Sequence, residues 1–274
     1  MGLRISTNVA SINAHRQLAT QQRKAEHALA ALSSGRRIVS ASDDAAGLAI
    51  SENIRGQVLG IRTARNNAFN AQSLIQVSEG GLNEISNILI RLRELGVQAA
   101  SDNLGQTERE FLNMEAQQLV QESDRIARST RFGNKVLLDG SGEKLDFHVG
   151  PFAGEENVVS FSLSADATAS TLGFSGLSIA DKSAARDSLA MVDEALISIG
   201  KLRADFGAVQ SRLQTTVSNL DIQNENLSAA KSRIADADIA QETADLASAQ
   251  ILQSASISVL AQANQSGSAA LKLL

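Results

Sequence analysis

Residues 192–234 read VDEALISIGKLRADFGAVQSRLQTTVSNLDIQNENLSAAKSRI and place Val192, Ile199, Phe206, Leu213, Leu220, Leu227 and Ile234 at strict intervals of seven. A seven-residue apolar repeat keeps one stripe of a helix facing a partner along its whole length. The only proline, Pro151, lies outside the run. A helix over 185–234 would be ~75 Å long at ~1.5 Å per residue, where an ordinary globular helix has ~11–12 residues. The stripe therefore predicts an elongated arrangement. Arg203, Gln210, Asn224 and Lys231 hold alternate heptad positions and are too polar for a symmetrical two-stranded seam. The stripe is expected to pack inside its own chain.

A matching helix is expected over 45–100, where Ile54, Ile61, Ala68, Ile75, Leu82 and Leu89 keep the same spacing. Leu74, Ile85, Ile88, Leu92 and Leu95 widen its apolar face enough for two neighbours. Ser42-Asp43-Asp44 before it reads as a capping start. After a break at 101–105, a third helix over 107–129 carries Phe111, Met114, Leu119, Val120 and Ile126, with Thr107 expected as N-cap and Glu110 completing a capping box. The period then changes to two, with Leu145, Phe147 and Val149 followed by Val159, Phe161 and Leu163. That alternation predicts a β-hairpin. Residues 165–183, rich in Ser, Ala, Thr and Gly, read as loop.

Both ends are amphipathic but weakly apolar. Ile5, Val9 and Ile12 share one face of a helix over 3–33, and Leu18, Ala25, Leu29 and Leu32 a slightly shifted one. Ile239, Leu246, Ile251, Ile257 and Leu260 mark another over 236–268. Residues 1–40 carry Arg4, Arg16, Arg23, Lys24, Arg36 and Arg37 against Glu26, whereas 235–274 carry Asp236, Asp238, Glu242 and Asp245 against Lys272. Opposite charge favours pairing of the two ends, although exposed ion pairs contribute only ~0–1 kcal/mol each. The expected fold is mostly α: a long antiparallel coiled-coil helical rod with a small β-hairpin region, plus paired N- and C-terminal helices. The expected domains are a rod over 41–235, with its hairpin at about 135–165, and a discontinuous terminal-helix domain of 1–40 with 236–274.

Composition narrows the function. There is no cysteine, and His15, His27 and His148 have no second histidine one turn away, so no catalytic thiol, transition-metal site or cofactor is expected. The phosphate-binding and nucleophile-elbow motifs are absent. Asp43-Asp44 is the best acid pair, and helix capping accounts for it better than catalysis. A net charge of −5 argues against nucleic-acid binding, and no run approaches the ~18 apolar residues of a membrane span. Arg4, Asn8, Asn13, His15 and Arg16 interrupt any secretory-signal core. The chain does not read as an enzyme.

Several blocks together resemble bacterial flagellin. Leu3-Arg4-Ile5-Ser6-Thr7-Asn8 with Ser11-Ile12-Asn13-Ala14 resembles its start. Leu32-Ser33-Ser34-Gly35-Arg36-Arg37-Ile38 and Ser42-Asp43-Asp44-Ala45-Ala46-Gly47-Leu48-Ala49-Ile50-Ser51 resemble its most distinctive N-terminal block. Arg91-Leu92-Arg93-Glu94-Leu95, Arg131-Phe132-Gly133-Asn134-Lys135-Val136-Leu137-Leu138, Ala249-Gln250-Ile251-Leu252 and Ser258-Val259-Leu260-Ala261-Gln262-Ala263-Asn264 follow in the family's order. Gly96, where the family usually has alanine, and the end at Leu274, where many members add arginine, depart from the pattern.

The resemblance implies a minimal flagellin without variable outer domains, self-assembling into the helical flagellar filament used for motility. It implies an extracellular location, reached through the flagellar type III channel without a cleaved secretory signal. The implied partners are other copies of the chain or other flagellins, the export apparatus and its chaperone, cap and junction proteins, and innate immune receptors. Arg91, Leu95 and Glu115 match positions that one such receptor reads, and Leu271, Leu273 and Leu274 match a stretch read by cytosolic sensors. The alternatives are a hook–filament junction protein of the same terminal plan and, further off, a cytosolic coiled-coil scaffold.

Overall fold

The computed structural model describes residues 7–162 and 165–271, with side chains as far as Gln265. Leu163, from the expected second strand, lies outside the described residues. The element order is α1 (Val9–Ser34), α2 (Ala45–Ala99), α3 (Gln106–Ser129), β1 (Arg131–Phe132), β2 (Lys135–Val136), β3 (Lys144–His148), β4 (Val158–Ser162), α4 (Lys182–Ala235) and α5 (Ile239–Leu271). The mostly α architecture with small antiparallel hairpins agrees with the sequence reading. The chain divides into two compact units, Met1–Gln57 with Glu225–Leu274, and Val58–Asn224. The division falls within α2 and α4, so each long helix belongs partly to both units.

In the 58–224 unit the two heptad series form the core. Val192, Ile199, Phe206, Leu213 and Leu220 are buried, as are Ile61, Ala68, Ile75, Leu82 and Leu89. The widened face is also used, since Leu74, Ile85, Leu92 and Leu95 are buried in the same cluster. Three ion pairs give the helix direction: Arg93–Asp193 at 2.8 Å, Arg203–Glu79 at 3.7 Å and Arg65–Asp221 at 2.8 Å. As the position rises on α4 it falls on α2, so the two run antiparallel. Gly96 belongs to this contact. A Cβ there would lie 3.0 Å from Leu189 Cδ2, so the missing side chain lets α4 approach α2 closely.

The expected cap of the third helix is corrected. The helix begins at Gln106 behind Gly105, and no side chain caps it. The Arg109 guanidinium instead donates to Ala99 O and Ser101 O at 2.9 and 2.7 Å, and Lys182 pairs with Asp102. These tertiary contacts hold the 101–105 turn, so a capping box is not required. Strands β3 and β4 pair antiparallel with Leu145 opposite Phe161 and Phe147 opposite Val159. Phe161 meets Phe206 of the α4 stripe at a centroid distance of 5.3 Å, so the hairpin roofs the helical core. A second, two-residue hairpin joins Arg131–Phe132 to Lys135–Val136.

The segment 165–179 is loop, as the sequence reads, but a buried one: Ala165, Ala167, Ala169, Leu172, Phe174, Leu177 and Ile179 are all core residues. Asp166 organises it, accepting from Thr168 N and from both the Thr168 and Thr171 hydroxyls. Burial raises the Asp166 carboxyl, but those donors outweigh it and hold the group below its ordinary value.

Candidate functional site

In the terminal unit, local chemistry starts and stops each helix. Asn8 Oδ1 accepts from Ser11 N at 3.1 Å and caps α1, while its Nδ2 donates to Ala263 O on α5 at 2.9 Å. Gly35 ends α1 at φ 68°, a left-handed conformation that glycine adopts without strain. Asp238 Oδ1 accepts from Ala240 and Gln241 N–H and caps α5. Between these ends the backbones bond directly: Arg37 N donates to Ala235 O at 2.8 Å and Ala237 N to Gly35 O at 3.0 Å. The Arg37 guanidinium adds a bond to Ile234 O at 2.7 Å.

The α1–α5 seam follows a heptad of small residues. On α1 the seven-residue series Ser11, Ala14, Leu18, Gln21, Ala25, Ala28 and Leu32 is buried or half-buried, with Ala31 fully buried beside it; on α5 the buried and half-buried positions are Glu242, Leu246, Ala249, Gln253, Ser256, Leu260 and Ala263. Alanine lets helices approach closely but buries little area. Apart from the half-buried Leu18, Leu32, Leu246 and Leu260, the larger apolar side chains point away from the seam. Val9 and Ile12 are 58% exposed, Leu29 52%, Ile251 70% and Val259 58%, and Ile239, Leu252 and Ile257 are exposed as well. The expected grouping of Leu29 with Leu18, Ala25 and Leu32 is therefore corrected, whereas Val9 and Ile12 share a face as expected, and that face is the exposed one. No ion pair joins α1 to α5 among the described residues, so opposite charge does not make the seam. It rests on alanine packing, the two caps and the backbone bonds.

Asp43 and Asp44 have separate structural duties. Asp44 Oδ1 accepts from Gly47 N at 2.8 Å, capping α2. Asp43 Oδ2 accepts from Ser40 N at 2.8 Å and Val39 N at 3.1 Å, and its Oδ1 lies 3.3 Å from His27 Nε2. The Ser40 N–H above all, with the Ser40 side chain, the Val39 N–H and the charge of His27, holds the Asp43 carboxyl below the ordinary 3.8. A depressed carboxylate contributes order above its unfolded value and loses it as pH falls through the lower folded value. Amide exchange at Val39 and Ser40 is therefore expected to accelerate below about pH 4. In Asp43→Asn that acid-dependent acceleration is expected to vanish, and persistence of the parent pH profile would contradict the assignment.

The other singled-out positions separate by environment. Arg91 and Glu115 are exposed and paired at 2.9 Å across α2 and α3, with Glu94 also on Arg91. Leu95 is fully buried in the core beneath that surface. Leu227, Ile234 and Ile54 are half-buried, unlike the fully buried middle of each stripe. Leu271 is the last residue of α5, and Leu273 and Leu274 lie outside the described residues. The outward apolar face of the terminal pair was not singled out in advance. Its signal was present as large apolar residues on more than one side of a weakly amphipathic helix.

Two family models match the chain: the bacterial flagellin N-terminal helical region over residues 5–143 and the bacterial flagellin C-terminal helical region over 189–274. A flagellin of Halalkalibacterium halodurans is 40% identical over 271 residues, covering 98% of this chain and 99% of that protein. The flagellar filament core protein flaB2 of Brachyspira hyodysenteriae is 38% identical over 285 residues, covering 98% and 99%. The crystal structure of Bacillus cereus flagellin matches with a TM-score of 0.50 and 30% identity, covering 61% of this chain and 94% of that one. With paired terminal helices at both ends of the sequence and relatives aligned from end to end, this chain belongs to the bacterial flagellin family.

Proposed function

We infer that the chain is a structural subunit of the extracellular flagellar filament, assembling with copies of itself through the outward apolar faces of α1 and α5. The observation that carries the reading is the inversion of those helices, with alanines inside the seam and Ile12, Ile251, Ile257 and Val259 outside. Exposed large apolar side chains on both terminal helices offer interaction surface, and stacked heterologous contacts that do not close build an open filament. Relatives named as flagellins and filament core proteins support this reading over the junction alternative. Export through the flagellar apparatus and its chaperone belongs to the same proposal, on family resemblance. So does receptor contact at the Arg91–Glu115 pair, with Leu95 supporting it from below.

Assembly by the purified full chain tests the reading. Ile251→Lys with Ile257→Lys keeps helix propensity and removes two outward apolar side chains, each contributing about 1.5–3 kcal/mol when buried. The concentration needed for pelletable polymer is expected to rise about 100-fold or more, with helix content unchanged. Normal filaments from the double variant would refute this assignment of the surface.

A further inference from the structure

Val9, Arg16 and Arg23 stand at strict intervals of seven on α1, and Asp238, Asp245, Leu252 and Val259 do the same along α5 and its cap. All of them are exposed. A seven-residue spacing keeps each set on one stripe, the arrangement by which helices meet along their length. None of these charges has an ion partner among the described residues; each makes only local bonds. The Arg16 guanidinium donates to Asn13 Oδ1 at 3.0 Å, and Arg23 Nε to Ala19 O at 3.3 Å. Asp245 Oδ2 accepts from Gln241 Nε2 at 3.1 Å, and Asp238 Oδ1 accepts from the two amides it caps. Within one chain, the Asn8–Ala263 and Ala237–Gly35 bonds put Arg16 opposite residues 255–256 and Arg23 opposite 248–249. Arg23 thus comes within about a turn of Asp245 without pairing, and Arg16 is about ten residues, or ~15 Å, away from it. The two stripes nevertheless match at one antiparallel register, with Val9 against Leu252, Arg16 against Asp245 and Arg23 against Asp238. A move of one heptad either way sets Arg16 against Leu252 or Val9 against Asp245.

We propose that this register joins two copies of the chain: the α1 stripe of one seats on the α5 stripe of the next, displaced by about 15 Å along the helices. Copies in an open stack repeat one orientation, so α1 and α5 of neighbours run antiparallel, as they do within a chain. The Arg–Asp pairs select the displacement, since any other sets charge against an apolar group or leaves it unmatched. Val9 and Leu252 add apolar burial at the same register. This contact rests on the filament reading and gives it a specific pairing.

Purified full chains carrying Arg16→Asp or Asp245→Arg test the contact through the concentration needed for pelletable polymer. Both positions are exposed, so helix content by circular dichroism is expected to match the parent's. Either variant alone sets like charges against each other between copies and is expected to need at least about tenfold more protein than the parent. A one-to-one mixture of the two is expected to return to within about threefold of the parent. In the mixture the introduced aspartate of one chain meets the introduced arginine of the other, and the native residues pair likewise. The double variant, with both changes in one chain, is expected to recover as well. Recovery in the double variant but not in the mixture would put the pair inside one chain and overturn the contact. Single variants that assemble like the parent overturn it too, as does recovery in neither case. A parent chain that forms no polymer refutes the filament reading itself, which keeps the two failures apart.

Discussion

Replacing Phe174 by alanine is expected to lower the stability of the 58–224 unit by about 3–5 kcal/mol. Phe174 is fully buried although it lies in a segment with no long helix or strand. Its environment is built by backbone bonds. Phe174 N and Ser175 N both donate to Ala169 O at 3.0 Å, and Leu177 N donates to Phe174 O at 3.1 Å. Gln117 Nε2 reaches Leu177 O at 2.6 Å, and Asn113 Oδ1 accepts from Ile179 N at 2.9 Å, fastening the segment to α3. A segment held so firmly cannot collapse into the space an alanine would leave, so the cavity persists and the full cost is felt. Native domains have only about 5–15 kcal/mol in total, so this one change removes a large share. Phe111, 61% exposed on α3, is the contrast; Phe111→Ala is expected to stay within about 0.5 kcal/mol. Denaturant unfolding of both variants checks the pair. Equal midpoints for the two would show that 165–179 is a dispensable loop.

Two adjacent glycines in the middle of α2 are expected to respond to alanine with opposite sign. A Cβ on Gly81 would lie 2.8 Å from both Leu138 Cδ1 and Thr130 Oγ1. Neither atom can yield cheaply. Leu138 is fully buried, and the Thr130 hydroxyl is engaged with Ile126 O at 2.7 Å. Gly81→Ala must therefore push the β1–β2 hairpin off α2, an overpacking that costs about 1–3 kcal/mol. Gly80 meets nothing within 4 Å, so Gly80→Ala gains only helix propensity, about 0.8–1 kcal/mol. The gap between the variants, roughly 2–4 kcal/mol, is several degrees in thermal midpoint. Stabilisation by both would mean that the hairpin does not rest on Gly81.

The parts of the fold legible in the sequence are those governed by a period. The α4 and α2 stripes were readable because a residue's face follows from its number once the helix is granted. The β3–β4 alternation was readable for the same reason. The start of α3 and the burial of residues 165–179 were not. The start of α3 is set by its own Arg109 reaching back to Ala99 O and Ser101 O and by Lys182 of α4 reaching Asp102, and no capping pattern encodes that. Phe174 lies among Ser, Thr, Gly and Ala, where composition suggests solvent and only tertiary hydrogen bonding makes burial tolerable. On the terminal helices, helical spacing puts Leu29 with Leu18, Ala25 and Leu32, yet Leu29 faces out while the other three face the seam.

By itself the sequence determined the helices, the stripe that Val192 to Leu220 bury, and the family. The tertiary structure decided which face of each terminal helix is covered. Periodicity says which residues travel together around a helix, but it cannot say which side receives a neighbour. That choice depends on how closely two distant segments approach. In α1 and α5 close approach selects alanine for the inside and leaves isoleucine and valine facing out, with leucine on both sides, the reverse of what hydrophobicity alone would assign.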